Sequence, residues 1–284
     1  MKKIIKLLFT IVLSTSLWAG NYEKGVAAGQ SGDFKTAFKL LKPLAEKGDP
    51  ALQVTIGSMY INGLGVKKDN KEAVKWYKKA AKQENSGAQY SLGIMYLNGQ
   101  GVKKNYQEAI KWYKKAAKQG NSDAQYNLGT MYLNAQGVKK NYQEAIKWFT
   151  LSANQGDSEA QYDLGAMYER GQGVKKNYSE AVKWFRKSSE QGNNKAQNNL
   201  GAMYNNGTGI DRNYKKAVKW YTKSAEQGNA MAQNNLGIMY YYGKGVKKDK
   251  IKTYEIWSLA AKQGYPDATN NLNTLCRETP WACK

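Results

Sequence analysis

Gly57, Gly93, Gly129, Gly165, Gly201 and Gly237 recur at a fixed interval of 36 residues, and each begins a Gly-x-Met-Tyr tetrad. A period held over six copies constrains the fold more than any composition does. Each unit must bury its apolar side against its neighbours, which gives a quasi-one-dimensional stack. Other columns keep the same phase: Gly65, Gly101, Gly137, Gly173, Gly209 and Gly245; Trp76, Trp112, Trp148, Trp184 and Trp220; Ala73, Ala109, Ala145, Ala181 and Ala217.

One unit, Ala124 to Glu159, shows the local logic. Ala124, Leu128, Met131 and Tyr132 stand at helical spacing. Gly129 falls inside that helix, where it costs about 1 kcal/mol against Ala, so its recurrence implies the close approach of a second helix. Gly137 closes the following turn and is expected in a left-handed conformation. Asn141 and Glu144 read as the two ends of a capping box. A second helix then carries Ala145, Ile146, Trp148, Phe149 and Ala153 on its buried side and stops at Gly156. Two helices per unit and no strand signal predict an all-α fold, an α-solenoid of 36-residue helix-turn-helix repeats.

The motif A-x-x-x-L-G-x-x-Y-x-x-G-x-G-V, as in Ala88 to Val102, resembles the Sel1-like repeat family, a relative of the tetratricopeptide repeats. The resemblance runs from about Tyr22 to Ala268. It implies that the solenoid is right-handed, with six full repeats within residues 20–284 and shortened N-terminal and C-terminal capping units. The first of these holds Phe34 and Ala37 in phase, and the last has Asn273 and Cys276 where Gly and Tyr stood. Three departures are local: Ala135 replaces a loop Gly, Glu84 replaces a helix-ending Gly, and Ile256-Trp257 shifts the Trp by one position.

The N-terminus begins Met1-Lys2-Lys3, continues through an apolar stretch from Leu7 to Trp18, and reaches Ala19-Gly20. This reads as a signal peptide over residues 1–19, which implies a periplasmic or secreted bacterial protein with no transmembrane segment in the mature chain. The net charge is +22, or +19 without that segment. Such a charge favours acidic partners. Export argues against nucleic acid and toward a protein or peptide, and a monomer is expected. No His is present, so neither a His-dependent triad nor a His-ligated zinc site can be built. No metal, cofactor or catalytic residue is expected. Cys276 and Cys283 should form a disulfide in an oxidising compartment. On one continuous helix their Cα atoms would lie about 10 Å apart, beyond bridging distance, so the helix must end between them, with Pro280 as the break.

Columns that vary between copies are the candidates for partner recognition. The tetratricopeptide resemblance implies that the first helix of each repeat lines a concave face. Two residues before the recurring Leu stand Val54, Tyr90, Tyr126, Tyr162, Asn198, Asn234 and Asn270. Next to the recurring Tyr stand Ile61, Leu97, Leu133, Glu169, Asn205 and Tyr241, followed by Asn62, Asn98, Asn134, Arg170, Asn206 and Tyr242. Tyr90, Tyr126, Tyr162, Arg170, Asn198 and Asn234 are therefore the expected partner-binding residues. Asn side chains can donate to and accept from an extended peptide, or the column is a solvated face; the pattern supports both. The paired lysines of the loops (Lys67-Lys68, Lys103-Lys104, Lys139-Lys140, Lys175-Lys176, Lys247-Lys248) form a ridge that reads first as a solvated face.

The expected function is an exported scaffold that holds a protein or peptide in its groove. The resemblance also admits a periplasmic immunity protein that neutralises a secreted phospholipase toxin, and a β-lactamase-like enzyme of the cysteine-rich relatives. The enzymatic reading is disfavoured, because those relatives carry a Cys pair in each repeat and no Ser-x-x-Lys motif occurs here.

Overall fold

The computed structural model describes residues 19–283, so the expected leader lies outside them except for Ala19. The described residues form fifteen α-helices and no strand. They divide after Asn141 into two compact units. The first contains α1 (Ala19–Ser31), α2 (Phe34–Glu46), α3 (Pro50–Asn62), α4 (Asn70–Lys82), α5 (Ser86–Asn98), α6 (Tyr106–Lys118) and α7 (Ser122–Leu133). The second contains α8 (Tyr142–Asn154), α9 (Ser158–Arg170), α10 (Tyr178–Glu190), α11 (Asn194–Asn206), α12 (Tyr214–Glu226), α13 (Ala230–Tyr242), α14 (Lys250–Lys262) and α15 (Pro266–Glu278), then a 3-10 turn, Pro280–Cys283. Contact is densest within a repeat, as between α5 and α6 or α9 and α10, and thinner between one repeat and the next.

The first helices of the full repeats start on caps that the sequence pattern had not singled out. Asn85, Asn193 and Asn229 accept the backbone N–H of Ala88, Ala196 and Ala232 at 2.9, 3.0 and 3.0 Å. The second helices start on Asn105 and Asn177, which accept from Glu108 N and Glu180 N at 3.1 and 3.0 Å. In these two repeats the return half of the expected capping box is replaced by an ion pair. The glutamate carboxylates reach one turn forward to Lys111 and Lys183, at 3.4 and 2.5 Å.

The mid-helix glycines meet the ring of the second helix. A Cβ on Gly57 would lie 2.8 Å from Tyr77, on Gly165 2.8 Å from Phe185, and on Gly201 2.7 Å from Tyr221. Omission of one methyl group therefore sets the distance between the paired helices. The loop glycines serve the next contact outward. Gly101, at φ +70°, would place a Cβ 2.2 Å from the carbonyl oxygen of Asn70 in the preceding repeat. At the two non-glycine departures the backbone keeps the glycine conformation: Glu84 has φ 59° and Ala135 φ 56°.

A buried glutamine column ties repeat to repeat. Gln53, Gln89 and Gln125 donate Nε2 to the carbonyls of Ala45, Ala81 and Ala117 at 3.2, 3.4 and 3.0 Å. In the second unit Gln161, Gln197 and Gln233 donate to Ala153, Ser189 and Ala225 at 3.0, 3.1 and 3.2 Å. The acceptors lie in the last turns of second helices, where a carbonyl has no partner four residues on and otherwise accepts the N–H three residues on, as Ser189 O does from Gly192 at 3.0 Å. A second glutamine closes each link: Gln119 donates to Gln89 and Gln227 to Gln197, both at 2.8 Å.

Candidate binding face

The varying columns fall on α3, α5 and α7 in the first unit, where the equivalent positions are half-buried at Val54, Tyr90 and Tyr126. Each is followed two turns later by a half-buried aliphatic (Ile61, Leu97, Leu133) and an exposed Asn (Asn62, Asn98, Asn134). Helices α5 and α7 also touch one another directly. The Tyr90 ring rests on the fully buried ring of Tyr113, with centroids 5.9 Å apart. Burial pushes the Tyr113 hydroxyl above its ordinary titration range. An aromatic half-exposed and backed by another ring offers rigid contact area at low entropic cost.

In the second unit Tyr162 on α9 repeats this arrangement against Phe185, at 5.8 Å. Lys195 lies over the Tyr162 ring at 5.8 Å. Arg170, at the end of α9, is exposed beside half-buried Glu169. Burial raises the Glu169 carboxyl above its ordinary value, while Arg170 and Lys176 pull it down.

Asn198 and Asn234 stand differently from their tyrosine equivalents: they are only 4% and 5% exposed. Asn235, in the next first helix, donates to Asn198 Oδ1 at 3.0 Å, and Asn271 donates to Asn234 Oδ1 at 2.9 Å. The Asn198 amide also points at Met231 Sδ, 3.3 Å away. These asparagines bond helix to helix along the stack, so their amides are already engaged rather than turned toward a partner's backbone. The signal was present in the sequence: doublets at Asn198-Asn199, Asn234-Asn235 and Asn270-Asn271 place an amide donor one position on in each successive copy.

The tryptophan column is also less interior than its periodicity suggests. Trp76 and Trp148 are buried, but Trp112, Trp184 and Trp220 are half-buried. The fully buried ring is the next residue, as at Tyr113, Phe149 and Phe185. Lysines one turn on lie over the indole rings: Lys79 lies 4.3 Å from Trp76, Lys187 4.3 Å from Trp184 and Lys223 5.0 Å from Trp220. The second-helix lysines also pair with glutamates, as Lys75 does with Glu72 at 2.5 Å. Exposed pairs of this kind add little to stability, because water and salt screen them. Loop lysines pack on second-helix aromatics instead, Lys104 over Tyr106 and Lys176 over Tyr178, each at 4.8 Å.

Cys276 and Cys283 are joined, with Cα atoms 5.6 Å apart. The helix does end between them: α15 stops at Glu278, and Pro280 opens the 3-10 turn. Among the described residues no helix is long and apolar enough to cross a membrane.

The Sel1 repeat family matches residues 17–49, 54–85, 86–121, 122–157, 158–193, 194–229 and 230–265. Among solved structures, the chain is similar to the protective antigen c5321 of uropathogenic Escherichia coli strains, described as displaying an SLR fold. Identity there is 40% and the TM-score 0.82, over 85% of this chain and 52% of the other. The chain thus spans about half the length of that protein. It is likewise similar to a Sel1 repeat protein from Oxalobacter formigenes, at 40% identity and a TM-score of 0.75, over 85% of this chain and 99% of the other. The comparison with curated proteins finds no match.

Proposed function

Because the chain belongs to the Sel1 repeat family, we propose that it is an exported scaffold that holds a protein or peptide partner on the first-helix faces of its repeats. The observation that carries this reading is the contrast between columns. Residues fixed across the copies have structural work: glycine against ring, glutamine against carbonyl. The half-buried tyrosines vary along the chain and rest on a rigid base, as Tyr90 does on Tyr113 and Tyr162 on Phe185. Tyr90, Tyr126 and Tyr162 supply aromatic contact, and Arg170 takes a carboxylate. Asn198 and Asn234 set the spacing of the helices that present them. The leader-like Met1 to Ala19 segment and the Cys276–Cys283 disulfide support export.

The test compares two variants after pull-down from an extracellular fraction has supplied a partner. Tyr126→Ala should cost more than about 1 kcal/mol of affinity with the fold intact. Charge reversal at Lys139 and Lys140 should mainly slow association and reduce its salt dependence. If the lysine pair abolishes binding and Tyr126→Ala leaves it unchanged, the ridge is the site and the proposal fails. A secreted phospholipase as the captured partner would support the narrower immunity reading. The enzymatic alternative predicts nitrocefin hydrolysis; none is expected.

A further inference from the structure

The C-terminal end of the second unit holds an open cleft of about 680 Å³, walled by Tyr240, Val246, Ile251 and Trp281 and by Lys247, Lys248 and Lys250. Two of its apolar members are unusually open to solvent, Ile251 at 55% and Trp281 at 62%. Trp281 does not fray into solvent from a loose tail. The 3-10 turn that bears it is closed by the Cys276–Cys283 disulfide. Its neighbour Ala282 is buried, and the Ala282 N–H donates to Thr279 O at 3.0 Å. A large aromatic held still and exposed at the mouth of a cleft is an anchor for a ligand, since a purely structural Trp would be covered.

The charges define the ligand. The carboxylate lining the cleft, Asp249, is occupied as the cap of α14, accepting Lys252 N at 2.8 Å. Glu278, whose charge also reaches Lys250, accepts the Tyr241 hydroxyl. Among the described residues, no carboxylate lies within ion-pair distance of Lys247, Lys248 or Lys250. Lys250 sits over the Tyr241 ring at 3.1 Å, which fixes the direction of its ammonium. We propose that this cleft is a second binding site, distinct from the first-helix face, which takes an acidic peptide segment whose apolar side chain stacks on Trp281 and Ile251 while its carboxylates meet Lys247 and Lys248. Three cations with no carboxylate at ion-pair distance, beside an exposed aromatic wall, complement such a segment in both charge and shape.

The test uses the full mature chain and a fluorescein-labelled eight-residue peptide of alternating Glu and Leu, read by anisotropy. Saturable binding is expected, weakened by about tenfold or more by Trp281→Ala and likewise by Lys247→Glu with Lys248→Glu. All three side chains are on the surface, and unchanged thermal melts verify the fold. Tyr126→Ala should leave the probe's affinity unchanged, which separates this site from the face proposed above. Absence of saturable binding overturns the proposal, as does affinity indifferent to either cleft variant. Capture by phosphatidylglycerol vesicles through the same residues, without peptide binding, overturns it in favour of a lipid surface.

Discussion

The Cβ that Gly93 lacks would lie 2.4 Å from Cδ1 of Tyr113, closer than side-chain atoms are found. Gly93 is in α5 and Tyr113 in α6, so this contact fixes how near the two helices of one repeat can come. Gly93→Ala gains about 1 kcal/mol of helix propensity. It also overpacks a fully buried ring, at a typical cost of 1–3 kcal/mol or more. We expect a net loss of about 1–2 kcal/mol in urea denaturation. The loss should shrink when Tyr113→Leu is added, because the two sites couple directly. An additive double variant would show that the close approach does not set the cost.

Ala135 and Glu84 make the opposite case, since each holds a left-handed backbone without being glycine. For an L-residue that conformation costs about 1–2 kcal/mol, part of which glycine returns through its larger unfolded-state entropy. Ala135→Gly should therefore stabilise by about 0.5–1 kcal/mol. Glu84→Gly should gain less, because it forfeits the bond from Gln89 Nε2 to the Glu84 carboxylate at 3.3 Å. A shift of the denaturation midpoint to lower urea for Ala135→Gly would sink the strain argument.

Gln197 is 3% exposed, donates to Ser189 O and accepts from Gln227. Gln197→Leu keeps the volume but removes both bonds; Ser189 O retains the Gly192 N–H at 3.0 Å, and Gln227, exposed at the surface, turns to water and Lys223 O. The expected loss is that of the bonds alone, about 0.5–1.5 kcal/mol. Hydrogen exchange should accelerate first where α10 and α11 adjoin. A neutral outcome would mean that water replaces the link.

Burial holds Glu169 above its ordinary value of 4.5. The folded state then binds this proton more tightly than the unfolded state does. Its stabilising contribution is complete below about pH 4.5 and is lost as pH rises through the folded value. Glu169→Gln should flatten the stability curve from that pH upward and leave the protein more stable than wild type at pH 7. A loss at pH 7 would mean that the carboxylate's attraction to Arg170 and Lys176 outweighs its burial.

Oxidised protein should show no titratable thiol before or after denaturation, because Cys276 and Cys283 are paired. Reduction should speed amide exchange in α15 while α9 to α12 keep their protection, since repeats contact only their neighbours. Two reactive thiols in the native protein would contradict the bond, and uniform loss of protection would contradict its local reach.

The helix pairs were legible in the sequence because glycine, alanine and aromatic columns share one period, and the mid-helix glycines correctly signalled a close neighbour. The glutamine column has the same period, yet a polar residue reads as surface unless its place beside the buried Ala88, Ala124 or Ala160 is weighed. The face was legible as a set of varying positions. Which of them reach solvent was not, because that depends on the following copy: Asn235 and Asn271 cover Asn198 and Asn234, whereas the Tyr90 and Tyr162 side chains stay half-open. The same holds for the indoles, where the choice between Trp112 and Tyr113 as the innermost ring is made by packing.

Each interior glutamine meets a carbonyl of the preceding copy and an amide of the following second helix, and every copy offers the same pair of groups. Removal or duplication of a whole 36-residue stretch in the second unit would therefore leave no glutamine without an identical match on either side. Gene-level gain or loss of copies is tolerated chemically as long as it occurs in whole units, and array length becomes a quantity that selection can adjust without rebuilding any core. The C-terminal end is exempt from that freedom. There Tyr265 starts α15 with no side-chain cap bond, and a disulfide-closed turn packs against α14 and α15.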